Sequence, residues 1–472
     1  MKRLLFPLGV ASVLIAGCAV GPDFSTPHAP AAQRYTAADE GQVGAGDAAP
    51  RFPAGPPPAQ WWTRFHSETL NAWVEEGLAA NPDLQSSAAA LIAAREQLSA
   101  QVGSTRFPQV DGAMQVSRQR ALGIPSFGPP TVLYQLYAGV VQVNYDLDIF
   151  GGLRRENEAL TADVDARAQE LVAARQTLAA NIVVTAIQCA ALARQVQVEE
   201  AAIDLARRRA EMLQHRYEAG AVSLREALDA ERVYDESASV LPSLRAQRDR
   251  DRHALAILLG RAPQDAPHEV DFDTLVPPDE IPVQVPSELV RTRPDVLAAE
   301  ARLHSATANV GVATANLLPH LTLTAQYGSE SFHGSSFLQS SSGVWGVGAG
   351  LLQPLFHGGA LLAEKRAASA QVDAAYRRYE ATVLKAFGDV GDSLRTVEED
   401  SVRLSHTEQA ERVALRIADD ARQRRATGSE TAPGVLLVEQ QVQQETLARV
   451  SAQSAQLIDT ANLFQAIGAP VP

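Results

Sequence analysis

A mainly α-helical chain with a small set of amphipathic β-strands, built from two copies of one unit, is the fold class the sequence predicts. Three observations predict it. Residues 153 to 219 contain neither Gly nor Pro, a span of 67; at about 1.5 Å per residue one helix would run roughly 100 Å, deeper than any ordinary globular core. Short stretches alternate apolar and polar residues, most cleanly "HLTLTAQYG", in which Leu321, Leu323, Ala325 and Tyr327 point one way and His320, Thr322, Thr324 and Gln326 the other. The third observation is an internal repeat. "RYEAG" ending at Gly220 returns as "RRATG" ending at Gly428, Glu231 as Glu439, and Gly260 as Gly468, all at an offset of 208.

The N-terminus, "MKRLLFPLGVASVLIAGC", places Lys2 and Arg3 before an apolar core and Ala16 and Gly17 before Cys18, the pattern of a bacterial secretory signal. It resembles a lipoprotein signal with the cleavage box "IAGC", Ile15 standing where Leu is commoner. That resemblance implies removal of residues 1–17 and a Cys18 carrying diacylglycerol and an N-palmitoyl chain. Ala19 follows where an Asp would imply inner-membrane retention, so the implied destination is the outer membrane. No later apolar run approaches the roughly 20 residues of a spanning helix, so no helical anchor is expected in the body. The mature chain has 39 basic against 55 acidic residues, a net −16, which argues against a nucleic-acid partner. Cys189, the one cysteine besides Cys18, sits on an apolar helical stripe and is expected to be a buried free thiol.

Residues 18–59 read as an extended tether, because 26–59 are rich in Pro, Ala and Gly. "WWTRFHSETLNAWVEEGLAANPDL" follows, with Trp61, Phe65, Leu70, Trp73, Val74 and Leu78 at helical spacing, which predicts a docking helix. The first repeat, 60–262, then predicts two strands near 108–150, a long helix 153–219 and a return helix 221–259. A connection, 263–290, leads to the second repeat, 291–472, with a helix, strands near 318–356, a long helix 360–427 and a return helix 434–467. Val164, Leu171 and Leu178 recur at sevens, as do Ile182 and Cys189, the seam of a coiled coil. In the strands, Val141, Val143, Tyr145, Leu147 and Ile149 oppose Gln142, Asn144, Asp146 and Asp148, and Trp345, Val347, Ala349 and Leu351 oppose Gly346, Gly348 and Gly350. "ALGIPSFGPPTV" and "GSESFHGSSFLQSSSG" read as the exposed loops between them.

Strands of about ten residues with one greasy and one wet face suit a water-filled transmembrane barrel. Four cannot close one, since the smallest such barrels have about eight strands and lipid tolerates no open edge. The wall is therefore expected to be shared between chains, with lipid against Leu321, Leu323 and Tyr327.

With these features in order, the chain resembles the outer membrane factor (TolC-like) family, in its NodT and OprM type lipoprotein branch. The residues that carry the resemblance are "CAVGPDF", "WWTRF", "NPDL", "YDLDIFGG", "RYEAG" with "LDAERV", "LLG", "RPDV" and "LFHGG". It implies a homotrimer whose four strands per protomer make a barrel of about twelve, continuous with a periplasmic α-helical coiled-coil barrel. Implied partners are outer membrane lipid, a periplasmic membrane-fusion adaptor and an inner-membrane RND-type pump. The implied function is the outer membrane channel of a tripartite efflux system, a passive exit duct for drugs or other small molecules. A duct for type I protein secretion is the alternative within transport; a poreless periplasmic coiled-coil lipoprotein leaves the strands unexplained.

Under this resemblance Gly220 and Gly428 close the helix pairs, and Arg216, Tyr217, Arg424 and Arg425 beside them form the closed tip that meets the adaptor. Family members often carry a carboxylate nine residues after that Gly. Here the first half has Asp229 and the second Leu437, so the candidate gate is Asp229, Glu430 and Leu437, with Arg425 and Glu430 as a candidate ion pair. Catalytic signatures are missing: "GVGAG" lacks the GxGxxG spacing, and there is no HExxH, P-loop or GxSxG, so neither enzyme activity, metal nor cofactor is expected beyond the covalent lipid.

Overall fold

The structure is a computed structural model that describes residues 19–28, 32, 34–36, 50–122 and 131–471. Cys18 and residues 123–130 of the first predicted loop lie outside these. The helices are α1 Glu68–Ala80, α2 Pro82–Arg106, α3 Gly152–Glu218, α4 Leu224–Leu258, α5 Pro286–Thr292, α6 Pro294–Ala315, α7 Ala360–Ala426 and α8 Ala432–Ala466. The strands are β1 Gln109–Leu122, β2 Thr131–Leu147, β3 His320–Ser331 and β4 Gly343–Leu352.

The repeat is written in the element lengths, since α3 and α7 are each 67 residues and α4 and α8 each 35. It is written again in the bonding. Gly220 N donates to Tyr217 O and Ala221 N to Arg216 O, both at 2.8 Å; Gly428 N donates to Arg425 O (3.1 Å) and Ser429 N to Arg424 O (2.9 Å). Each long helix thus ends in a Schellman motif, with φ of 73° at Gly220 and 77° at Gly428, a left-handed conformation that a side chain would strain by roughly 1–2 kcal/mol. Ser223 then caps α4 by accepting from Glu226 N (3.2 Å), and Thr431 caps α8 by accepting from Gly434 N (3.2 Å).

A second duplicated joint lies before each Pro-Asp pair. Asn81 Nδ2 donates to Leu258 O (3.0 Å) while its Oδ1 accepts from Asp83 N and Leu84 N, tying the end of α4 to the start of α2. Arg293, 212 positions on, does the corresponding work by donating to Ala466 O (3.0 Å) and Ala386 O (3.2 Å). Its Nη2 also reaches Asp389 Oδ2 at 2.8 Å and its Nε reaches Asp295 at 2.9 Å.

The chain packs as two compact units that cut across the repeats. The sheet unit holds Ala90–Ala168, Ala298–Glu380 and the N-terminal residues to Pro27; the hairpin unit holds His28–Ala89, Gln169–Leu297 and Ala381–Pro472. Neither is a sequence repeat, because each repeat divides its long helix between them. In the hairpin unit Trp61, Trp62 and Phe65 are buried and Trp61 stacks on Phe464, ring centroids 5.1 Å apart. These aromatics do not begin a docking helix: "WWTRF" is a 3-10 turn, and α1 starts at Glu68 because Ser67 caps it, accepting from Leu70 N at 3.3 Å.

Of the extended tether read over 18–59, residues 18, 29–31, 33 and 37–49 lie outside the described residues, and described parts of the rest are held to the body. Residues 19–24 bond to the sheet unit. In the hairpin unit, Tyr35 donates its hydroxyl to Gln284 O (2.7 Å), and Arg51 and Ala54 bridge in parallel to Glu280 and Val283. Pro and Ala content lowers the ability to build a core but does not prevent a strand-like segment from pairing on an existing one. One window of α3 is long and apolar enough for a membrane, which the reading of the body missed; 67 % of it is buried, so it is core. Cys189 lies in α3 as a buried free thiol, which burial first, then Asp251 and Glu269, push up to about 12.

Between α7 and α8 the Asp400 carboxyl is 7 % exposed. Burial, then the neighbouring Asp459 carboxyl, push it from 3.8 up to about 6 despite Arg403 at 3.1 Å. The folded carboxyl therefore holds its proton more tightly than the unfolded one, so the stability it contributes is full below pH 3.8 and lost as pH rises through about 6. Thermal melts at pH 5 and pH 8 are expected to differ less in Asp400→Asn than in the parent. At pH 8 the variant should be the more stable by about 1–2 kcal/mol, allowing for solvent screening. An unchanged pH dependence would place the proton elsewhere.

Candidate functional site

The sheet is antiparallel in the order β1-β2-β3-β4, and directly opposed residues share a face. Its register aligns the apolar residues of different strands into rows. Gly112, Val141, Tyr327 and Trp345 form one row, and Val110, Val143, Ala325 and Val347 the next. Tyr145, Leu323 and Ala349, then Leu147, Leu321 and Leu351, continue the face towards the helix-joined end. The opposite face carries Asp111, Gln142, Gln326 and Gly346, then Gln109, Asn144, Thr324 and Gly348. On it Thr322 Oγ1 donates to Asp146 (2.6 Å), so the wet face satisfies its own polar groups.

The greasy face has no cover of its own chain over most of its area. Tyr327 is 73 % exposed, Trp345 76 % and Val347 79 %. Contiguous apolar exposure on that scale marks a surface built to meet something other than water. Among the described residues β1 and β4 each pair with a single strand, so both edges offer unpaired backbone groups.

Several strand boundaries differ from those read in the sequence: β3 runs on through Gly328–Ser331, read as loop, and β4 stops at Leu352, short of Phe356. β2 stops at Leu147, so Asp148 and Ile149 leave the alternation; Asp148 turns back to accept from Leu153 N (3.1 Å) and Arg154 N (2.9 Å), capping α3. At the other end the hairpin absorbs Ala121, Leu122, Thr131 and Val132, all read as loop.

The structure brings only some of the candidate turn and gate residues together. Arg216 and Arg425 line one groove of about 730 Å³ with Arg208, Glu211 and His215, over an apolar floor that includes Met212 and Leu436. Tyr217 and Arg424 are exposed beside it, Arg424 pairing with Asp420 at 2.7 Å. Arg425 and Glu430 do not pair: the Glu430 carboxylate accepts from Thr431 N (2.8 Å) at the start of α8. Leu437 is half exposed on α8. Asp229 is exposed on α4 between two arginines of its own helix, with Arg225 Nε at 3.8 Å and Arg232 Nε at 3.9 Å. Arg232 is also held at 2.7 Å by Glu236, which first among its partners raises its proton affinity. Asp229 is thus a compensated charge, a fact its i−4 and i+3 neighbours already encoded. Sequence reasoning missed Arg422, which crosses from α7 to Glu439 on α8 at 2.8 Å; Glu439 was noticed only as the echo of Glu231. Among the described residues no group of three or more His, Cys, Asp or Glu is arranged to hold a metal.

The profile of the outer membrane efflux protein family matches residues 73–261 and 285–469, most of the chain. The chain belongs to the outer membrane efflux protein family. This efflux protein is similar to the pyoverdine export outer membrane protein OpmQ of Pseudomonas putida, 28% identical over 422 residues that cover 87% of this chain and 88% of that one. It is also similar to the toluene efflux pump outer membrane protein TtgC of Pseudomonas putida, 26% identical over 482 residues covering 99% and 96%. Among solved structures it superimposes on the outer-membrane channel OprN with a TM-score of 0.84 and 28% identity, covering 96% of this chain and 99% of that one. Its fold is that of a protomer of the trimeric outer membrane channels, and its function is that of an outer membrane efflux channel component reaching into the periplasm. Members of the family are channel proteins rather than enzymes.

Proposed function

We propose that three copies of this chain join their sheets edge to edge around a water-filled bore and act as a passive exit duct for small molecules. A periplasmic adaptor opens the duct and an inner-membrane RND-type pump supplies the energy; the chain itself performs no catalysis. One observation carries this reading: the four-stranded sheet has a wet face, a greasy face and two open edges. Each backbone group left unpaired in hydrocarbon costs several kcal/mol, so edges in a membrane pair with other chains. The pyoverdine and toluene named for the relatives support a small cargo.

Cys18 carries the diacylglycerol and N-palmitoyl groups in this reading, and Arg216, Tyr217, Gly220, Arg424, Arg425 and Gly428 form the adaptor-facing turns. Asp229 with its flanking arginines, Glu430 and Leu437 line the constriction. Neutralising Asp229 alone (D229N) leaves one positive charge in excess, Arg232 being still held by Glu236, and is expected to shift channel selectivity towards anions; R225Q with R232Q is expected to shift it towards cations. Reversal potentials in asymmetric KCl read both, and no shift in either removes α4 from the ion path. The function itself is tested by planar-bilayer conductance of the purified protein and by the cargo retained in a deletion strain. Absence of conductance defeats the duct, and retention of a secreted protein in place of small dyes reassigns its cargo.

A further inference from the structure

We propose that residues Ala19–Phe24 are an intramolecular ligand of the sheet unit, locked by Arg155, and that this lock seats the N-terminal lipid at the foot of β2. The placement of the lipid rests on the proposed acylation of Cys18; the lock does not. Val20 N donates to Phe150 O (3.0 Å), and Val20 O accepts from Arg155 Nε (3.2 Å). Arg155 Nη2 reaches Asp23 Oδ1 at 2.5 Å and Nη1 reaches Glu158 Oε2 at 2.8 Å. The other oxygen of Glu158 lies 2.9 Å from His304 Nε2, and Phe24 stacks on that imidazole with ring centroids 4.4 Å apart. Asp23, Arg155, Glu158 and His304 therefore form one line of alternating charge and hydrogen bonding beneath the segment, and an aromatic ring closes its end.

Arg155 is the centre of this arrangement because its side chain is 5 % exposed and each of its three nitrogens has a separate acceptor. Take the segment away and the guanidinium loses two of its three acceptors, Val20 O and the exposed Asp23 carboxylate, and keeps Glu158. The seat is also shaped for bare backbone. A Cβ on Gly21, whose φ is 96°, would meet the Gly311 Cα at 2.4 Å, and one on Gly311 would meet Val20 O at 2.8 Å. A seat cut this close admits the N-terminal backbone in one register.

The consequence is positional. Ala19 lies against Gly151, just past Leu147 at the end of β2, and Leu147 pairs with Leu321 in the last apolar row. All four strands join helices at this end of the sheet, by their register and chain order. An acylated residue one peptide bond before Ala19 delivers its chains into the leaflet bordering the helix-joined ends, the periplasmic leaflet in this family. At about 0.8 kcal/mol per buried CH₂ those chains bind strongly, and the lock fixes where they bind.

The test uses the full mature chain with a specific protease site inserted after Ala31, secreted once with its own signal and once with a non-lipoprotein signal. After cleavage in detergent the body is gel-filtered, and mass spectrometry measures the N-terminal peptide retained on it. The unacylated peptide is expected to stay with the parent body and with R155K to an intermediate degree. From D23A and F24A, which leave the core of the body intact, it is expected to leave about threefold to fivefold faster, the equivalent of one exposed ion pair or one aromatic stack. Loss from the parent as fast as from D23A overturns the lock. A peptide without acyl mass from the native-signal form overturns the lipid placement alone.

Discussion

Leu323→Arg is expected to keep the protein out of the outer membrane, whereas the same side chain one position on, in Thr324→Arg, is expected to be tolerated. Leu323 stands between Tyr145 and Ala349 on the greasy face, and Thr324 between Asn144 and Gly348 on the wet one. A guanidinium facing lipid costs about 2–4 kcal/mol at the mid-membrane and about 0–1 near the interface; Leu323, one row in from the helix-joined rim, lies between the two, and an assembly of identical chains bears that cost at every protomer. Facing water, it costs little and adds positive charge to the bore, so Thr324→Arg should conduct with a shift towards anions. Membrane fractionation separates the two variants, and reversal potential reads the second. Equal fractionation of both would mean that the faces have been assigned the wrong way round or that neither meets lipid.

Arg293→Met is expected to lower the stability of the hairpin unit by about 3 kcal/mol, the usual cost of removing one partner from a largely buried charged network. Methionine fills similar volume but leaves Asp389 without its guanidinium and takes the side-chain donor away from the carbonyls of Ala386 and Ala466. Arg293→Lys should recover only part, since one ammonium cannot reach four acceptors from a planar fork. Asn81→Ala, at the equivalent joint, should cost about 1–2 kcal/mol through the lost cap and the lost bond to Leu258. Melting followed by circular dichroism orders the three. If Arg293→Met melts with the parent, the joint is not a structural one.

The long helices and the strands were legible because their signals are local. A 67-residue run without Gly or Pro has few alternatives to helix, and strict alternation fixes which residues share a face whatever the partner strand. The repeat was legible because Gly220 and Gly428 mark helix ends by backbone conformation, which composition reveals directly. What escaped notice depends on partners far along the chain. Residues 19–24 read as tether because nothing near them in sequence announces Arg155, and Arg293 was quoted within "RPDV" without any partner being assigned to it. The end of β2 was misplaced for a subtler reason: Asp148 continues the polar alternation in letters while its carboxylate is bonded to the first turn of α3. Asp229 is a different case, for Arg225 and Arg232 were in plain view at helical spacing, and its charge was weighed without them.

The adjacency of β2 and β3 sets a timetable for biogenesis. Leu147 finds Leu321, and Tyr137 finds Ser331, only after some 170 and some 190 intervening residues respectively have been exported. Until then the β1–β2 hairpin emerges into the periplasm as an incomplete ribbon with one oily side and a free edge, the form of chain most prone to stick to its neighbours. That interval of exposure is built into the strand order, and any slowing of export between those two points lengthens it.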